Sequence, residues 1–446
     1  MKIASIISMS AAAALIAVAP ASAEPMAFTI GGYFTQSVQL VDIDDHNNMT
    51  FEDEVLAQNA EIHFKGKTKL NNGTELGIRI ELEASESDDQ IDEHYLYLKG
   101  DWGKLILGAE NGIGHLMQVR APRFVPGLKM FDNSVTDDVY ESAYDEHLDD
   151  NAIEDAHMST KLEHISGDAN KLSYMTPRVG GLQLGVSYAP NNADHGGGEN
   201  NAGASTDAAQ EDIIELGVSY KGMARGVGYK FSYTAVEGDT VRPGSPKPES
   251  ISTGLALSYG DWVFGGNISE YKDLHEVDDT KYADSESIET TNYALKYKLS
   301  KTSYLVVGFT DGEERHVARD VTSASYFTDF GDDDQEGGTG NNADETGTLT
   351  TTLAAPISTY EELMVGGGTE LAPGVRLGFY YTISEATHQI RGGSYSDAGS
   401  VGAGADGTAG TGGDDVLPTA PVFTADPDND SDAEVSALGV TLHLRF

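Results

Sequence analysis

Glu434-Val-Ser-Ala-Leu-Gly-Val-Thr-Leu-His-Leu-Arg-Phe446 is the stretch that decides the fold. Leu438, Val440, Leu442, Leu444 and Phe446 take every second position, and the small or polar Ala437, Gly439, Thr441, His443 and Arg445 lie between them. A period of two over that length describes a β-strand with one apolar and one polar face. Such a strand at a chain end exposes an unpaired edge unless the sheet closes on itself, and a barrel in a membrane provides that closure. The rest of the chain is therefore expected to supply the other strands of one barrel.

Composition narrows the class. No break in composition divides the 446 residues into two domains. The absence of cysteine excludes disulfides, thiol nucleophiles and Cys-ligated metals. With 28 basic and 72 acidic side chains the net charge is -44, which argues against a nucleic-acid partner and for a solvated, cation-attracting surface. The 51 glycines and 21 tyrosines, set against 14 prolines, favour β-structure with many turns. At the N-terminus, Lys2, the apolar run Ile3 to Val18 and Ala21-Ser22-Ala23 have the layout of a secretory signal, with cleavage expected between Ala23 and Glu24. That run is too short for a spanning helix, and no later segment is long enough. The expected organisation is a signal peptide over 1–23 and one barrel domain over 24–446.

The alternation recurs from Phe28 onward. Phe28, Ile30, Phe34, Val38 and Leu40 share one face of a first strand, and Ile62 with Phe64 share one face of a second. Asn71-Asn72-Gly73 has hairpin chemistry, and Leu76, Ile78, Ile80 and Leu82 line one face of the return strand. Further short turns are expected at Gly100 to Gly103, Arg178 to Gly181, Lys221 to Gly226, Gly260-Asp261, Leu299 to Thr302 and Ala372 to Gly374. Between them run long polar connections near 84–93, 111–169, 190–211, 237–250, 272–288, 312–359 and 386–433. The count is sixteen antiparallel strands, with short turns on one side and long loops on the other, the polarity of an outer-membrane barrel. Tyr188, Tyr220, Tyr259, Tyr297 and Tyr381 suit an aromatic girdle. Counts of fourteen or eighteen also fit the weak alternation, and a β-helix, the rival architecture, lacks its short fixed repeat.

The hairpin His94-Tyr-Leu-Tyr-Leu-Lys-Gly-Asp-Trp-Gly-Lys-Leu-Ile-Leu-Gly-Ala-Glu-Asn111 resembles the one preceding the constriction loop of the general trimeric porins of Gram-negative bacteria. Lys171-Leu-Ser-Tyr-Met-Thr-Pro-Arg-Val-Gly-Gly-Leu182 resembles the hairpin that follows it, and the strand ending at Phe446 resembles their assembly signal. With the signal peptide, the resemblance spans the whole chain. It implies a homotrimer in the outer membrane and passive diffusion of small hydrophilic solutes and ions. It also implies a constriction loop, here about 111–169, folded into the pore, and recognition of Leu442, Leu444 and Phe446 by the barrel-assembly machinery. The chain departs from the family at Glu110-Asn111, where a basic or glutamine pair is common, which leaves the charge of that part of the pore open.

Within the long connection, Gly112 to Lys129 is apolar, punctuated by proline, and carries Arg120 and Arg123. Asp132, Asp137, Asp138, Glu141, Asp145 and Glu146 follow as candidates for an acidic side of the constriction; a solvated external loop is the alternative. Strand parity turns Lys65, Lys67, Arg79 and Lys99 toward the lumen, joined from elsewhere by Lys230, Lys296, Arg376 and Arg445. Acidic loop facing basic wall would set a transverse field across a narrow pore. The plain alternative is a polar lumen indifferent to charge.

Metal and catalytic patterns are sparse. Asp426, Asp428, Asp430, Asp432 and Glu434 alternate, but Pro427 and the lack of a turn glycine break a calcium-loop pattern. No metal site or cofactor is assigned, beyond weak divalent binding by clustered loop carboxylates. No Gly-x-Ser-x-Gly or His-Glu-x-x-His motif occurs, so an enzyme is not expected. Three functions stand in order: a cation-preferring diffusion channel, a solute-selective channel with a lumenal binding site, and an outer-membrane enzyme.

Overall fold

The computed structural model describes residues 25–45, 54–84, 91–128, 159–162, 165–192, 210–240, 246–274, 285–316, 319–328, 345–353, 357–388, 393–395, 423–425 and 431–446. The Ala23–Glu24 junction and the acidic stretch from Asp132 to Glu146 lie outside these residues. The first half of the barrel comprises β1 (Ala27–Asp45), β2 (Glu54–Lys69), β3 (Glu75–Glu83), β4 (His94–Gly100), β5 (Gly103–Ala109), β6 (Asn170–Met175) and β7 (Leu182–Asn191). A single helical turn, α1 (Ile113–Leu116), follows β5. Next come β8 (Gln210–Ala224), β9 (Val227–Thr240), β10 (Glu249–Tyr259), β11 (Trp262–Leu274), β12 (Ser285–Lys298) and β13 (Ser303–His316). A separate hairpin, β14 (Arg319–Thr328) with β15 (Glu345–Leu353), precedes β16 (Ile357–Ala372) and β17 (Val375–His388). A second small hairpin, β18 (Gly393–Tyr395) with β19 (Phe423–Ala425), precedes the final β20 (Ser431–Arg445).

Sixteen strands form one closed antiparallel barrel in the order β1 to β13, β16, β17, β20, with β20 returning to β1. The seam pairs Tyr33 with Arg445 through to Asp45 with Ala433. Backbone bonds between Gly32 and Phe446 extend it, at 3.1 Å and 3.2 Å. Closure satisfies every edge, which the apolar interior of a bilayer requires.

Alternation sets the two faces. Along β8, Ile214, Leu216, Val218 and Tyr220 are exposed, whereas Ile213, Glu215 and Ser219, which alternate with them, are buried. Phe28, Ile30, Val38 and Leu40 of β1 are likewise exposed around buried Thr35, Ser37 and Gln39. An exposed apolar face outside and a packed polar face inside is the inverse of a soluble core, and it belongs in lipid. Near the short turns Trp262 packs on Tyr297 at 4.6 Å and Tyr220 on Tyr229 at 5.9 Å, forming part of an aromatic belt. Tyr381 sits mid-strand instead, opposite Leu438.

Several strands run beyond their expected ends. β8 continues past Lys221 to Ala224, and the turn is the pair Arg225–Gly226, both at positive φ (51° and 82°). That pair gives the twist a two-residue hairpin needs. β9, β11 and β13 reach into stretches assigned to polar connections, because above the membrane both faces are wet and the alternation disappears. The wall is uneven in height: β1 has 19 residues and β2 has 16, against 7 in β4, 7 in β5 and 6 in β6.

Candidate functional site

The chain beyond Ala109 turns into the barrel and crosses it. Its first contact is with the wall of β7, β8 and β9. The Ile113 amide donates to Ser187 Oγ at 2.9 Å, the Gly114 amide to Glu215 Oε2 at 2.6 Å, and the Val119 amide to Ser232 Oγ at 2.7 Å. All three acceptors are buried inward-facing residues. Gly254 of β10 allows the backbone to lie close, since a Cβ there would come within 1.8 Å of the Val119 carbonyl oxygen.

The segment then reaches the opposite wall. Phe124, Val125 and Leu128 pack among Ala57, Ala294, Val306, Met364 and Tyr380, all inward-facing. Thr441 Oγ1 donates to the Pro126 carbonyl at 2.6 Å, which ties the loop to the last strand. The apolar, proline-punctuated composition of Gly112 to Lys129 thus serves adhesion to the wall. The returning chain is held as well: Thr160 Oγ1 donates to Asn267 Oδ1 at 3.0 Å, and Ser269 Oγ donates to the Thr160 carbonyl at 2.7 Å. Gln118 Nε2 links the two passes by donating to the Thr160 carbonyl at 2.8 Å.

One carboxylate anchors both. Glu215 is 1 % exposed; its Oε2 accepts from Gly114 and its Oε1 accepts from Ser166 Oγ at 2.6 Å. Lys171 Nζ donates to the same Ser166 hydroxyl at 3.2 Å. Glu215, Ser187, Ser232 and Asn267 were not singled out by sequence. Parity alone places them inward, but nothing local announces that a loop will meet them.

Most of the sequence-identified cations gather on one side; Lys230 stands apart on β9, opposite Ala256. Lys65 is the Cα partner of Arg79, and Arg79 that of Tyr95. Glu75 pairs with Lys99, which in turn pairs with Lys104. At the seam Arg445 stands opposite Tyr33, and on the other side of β20 Arg376 of β17 stands opposite His443. Lys67 lies one inward position below Lys65, opposite Gly77. Arg123, from the internal loop, acts electrostatically on His443 together with Arg376 and Arg445, so the loop contributes positive charge to this arc. Lys296 Nζ sits 3.8 Å over the Tyr304 ring and Lys104 Nζ 5.2 Å over Tyr97, which orients two further cations against aromatic faces. The acidic candidates Asp132, Asp137, Asp138, Glu141, Asp145 and Glu146 lie outside the described residues. Apart from Glu75, the described carboxylates beside this arc, Glu93 among them, sit higher on the same wall. Asn111 Nδ2 donates to Glu93 Oε1 at 3.2 Å, and burial with the adjacent Glu110 carboxyl pushes Glu93, just before β4, up to about 8.

The chain forms a closed sixteen-stranded barrel with a loop folded across its interior, and a family model for Gram-negative porins matches residues 11–346. The chain belongs to the Gram-negative porin family. The porin is an outer-membrane protein, as its lipid-facing exterior requires. Among solved structures, it is similar to OmpF of Salmonella typhi in complex with daunomycin, at 13% identity and a TM-score of 0.50, covering 94% of this chain and 97% of that one. It is also similar to an anion-selective porin from Comamonas acidovorans (13% identity, TM-score 0.46, 94% and 100% covered). A loop-deleted OmpT, an outer membrane protein of Vibrio cholerae, matches at 11% identity and a TM-score of 0.48, covering 95% and 100%. No curated protein sequence matches the chain.

Proposed function

We propose that this porin is a passive channel for small hydrophilic solutes and ions, working without turnover or cofactor and preferring cations overall. The observation that carries the reading is the internal loop, pinned to β7–β9 at one end and to β17 and β20 at the other. In this reading a loop held this way narrows the lumen, and pore width with lining charge sets what passes. Support for cation preference comes from the net charge of -44. The basic wall of Lys65, Lys67, Arg79, Lys99, Arg376 and Arg445 opposes it locally, and in this reading Asp132, Asp137, Asp138, Glu141, Asp145 and Glu146 supply the facing negative charge.

Three associations complete the reading. The first strands of the barrel, with the connection that ends at Glu93, are where two further copies would pack to make a homotrimer. Leu442, Leu444 and Phe446, on the outer face of the closing strand, are the contacts offered to the barrel-assembly machinery. Loop carboxylates bind divalent cations weakly.

Planar-bilayer recording of the purified protein tests the proposal. Ohmic steps in groups of three equal levels support a trimeric channel, and a silent bilayer overturns it. Reversal potential in a salt gradient tests ion preference. If replacing Asp137, Asp138 and Glu141 by their amides leaves that potential unchanged, those residues do not face the pore. The basic arc favours a second reading, a lumenal binding site for anionic solutes, in which conductance saturates and the solute blocks.

A further inference from the structure

Above the basic arc, on the inward face of β2 and β3, three ligand atoms converge. His63 Nε2 lies 2.6 Å from Glu61 Oε2 and 3.0 Å from Glu81 Oε2, and all three atoms fall within 4.8 Å of one another. The register creates this meeting: His63 and Glu81 are direct Cα partners, and Glu61 is the next inward residue along β2. The His63 and Glu81 side chains are only 9% and 5% exposed, and that of Glu61 is 17% exposed. We propose that Glu61, His63 and Glu81 form a binding site for a divalent transition-metal ion such as zinc.

Two features point to a metal. An imidazole nitrogen carries at most one proton, which can lie along one N···O line, yet two carboxylate oxygens close on the same Nε2. A metal ion satisfies all three atoms at once. Ligand–metal bonds of about 2.0–2.2 Å put neighbouring ligand atoms roughly 3.3 Å apart, so the trio needs to open by less than about 1 Å. The second feature is the outer ring of partners. Each carboxylate turns its Oε2 to His63 and its Oε1 to a partner outside the trio: a hydrogen-bond donor for Glu61 and an ion-pair partner for Glu81. The Tyr33 hydroxyl donates to Glu61 Oε1 at 2.5 Å, and Arg79 pairs with Glu81 Oε1. An outer hydrogen bond of the Tyr33 kind is how protein metal sites orient a ligating carboxylate.

Ligand chemistry selects the ion. One imidazole and two carboxylates without a thiolate suit zinc and its divalent neighbours, not copper(I). Three protein ligands leave a fourth position for water or a solute. The site lies one inward step above Lys65 and Arg79, so a bound ion adds two positive charges to the basic wall and reduces cation passage.

The test uses the full-length protein in detergent, free of chelator, titrated calorimetrically with zinc chloride. The expected result is one saturable site per chain, with affinity at least tenfold weaker in His63→Gln and in Glu81→Gln. Tyr33→Phe, which keeps all three ligands, should weaken binding about tenfold through lost orientation. Cobalt(II) in place of zinc should give a visible absorption band that His63→Gln abolishes. A wild-type protein that binds no zinc saturably overturns the proposal. So does zinc affinity that is unchanged in His63→Gln, which would assign the ion to loop carboxylates. The wild-type chain needs no variant for a companion readout: zinc should lower single-channel cation current and EDTA should restore it. Calorimetry does not depend on conduction, so failure of the channel reading and failure of this site are separable.

Discussion

Replacing Glu215 by alanine should free the internal loop while leaving the barrel intact. Glu215 makes two hydrogen bonds to the loop, to the Gly114 amide and to the Ser166 hydroxyl, both at 2.6 Å and both buried. Hydrogen bonds to a charged group contribute about 1.5–3 kcal/mol each, so the substitution removes roughly 3–6 kcal/mol of anchorage. At tenfold per 1.4 kcal/mol, even the low end raises the detached population about a hundredfold. The backbone pairing of β8 with β7 and β9 does not pass through this side chain. Single-channel recording should therefore show open-channel noise and altered conductance, with strand content by circular dichroism unchanged. Glu215→Gln retains one acceptor oxygen and should fall between the two. Wild-type conductance and wild-type noise in Glu215→Ala would refute the idea that this carboxylate holds the constriction.

Arg79→Glu changes the wall charge by two units; at about 10 Å in water that amounts to ~0.8 kcal/mol per permeating ion, a roughly fourfold shift in permeability ratio toward cations, read from the reversal potential. Deleting Phe446 removes the residue whose backbone pairs with Gly32, and it should lower the yield of inserted barrel severalfold without changing conductance in the channels that do form, as counted by membrane fractionation and recording. Glu93 stands at about 8 in the folded chain against an ordinary 4.5. Between those values the folded state holds a proton that the unfolded chain has lost, so stability falls as pH rises through that window. Glu93→Gln should flatten this part of the dependence of the thermal midpoint on pH.

How much was legible in the sequence follows from the range of each signal. Strand identity is local, so the alternation of Phe446, Leu444, Leu442 and Val440 and the turn at Asn71-Asn72-Gly73 were readable, and with them the sixteen-stranded barrel. Parity is local too, and it put Lys65, Arg79 and Arg376 on the inner face. Strand ends above the membrane were not readable, because residues such as Glu237 and Glu313 stand where water lies on both sides and polarity carries no direction. Contacts across the lumen were hidden for another reason. Ser187, Ser232 and Glu215 acquire a role only because a loop more than seventy residues upstream lands on them. Their type and spacing are those of any wet strand face. The Glu61–His63–Glu81 trio needed the register of two strands, although both strands were recognised.

The seam has a kinetic consequence. Nearly all barrel pairings join strands that follow one another in sequence, and β13 with β16 and β17 with β20 only step over a small hairpin. The contact between Thr35 and His443, at 2.9 Å, instead joins residues 408 positions apart. Contacts between near neighbours close cheaply and early, and the entropy of ring closure falls almost wholly on this one joint. Until it forms, the open sheet carries two unpaired edges, at β1 and at β20, and each is a template for mispairing. The barrel thus has a single commitment step, the joining of β1 to β20, and variants along β1 and β20 should slow closure more than equal changes in β8 or β11.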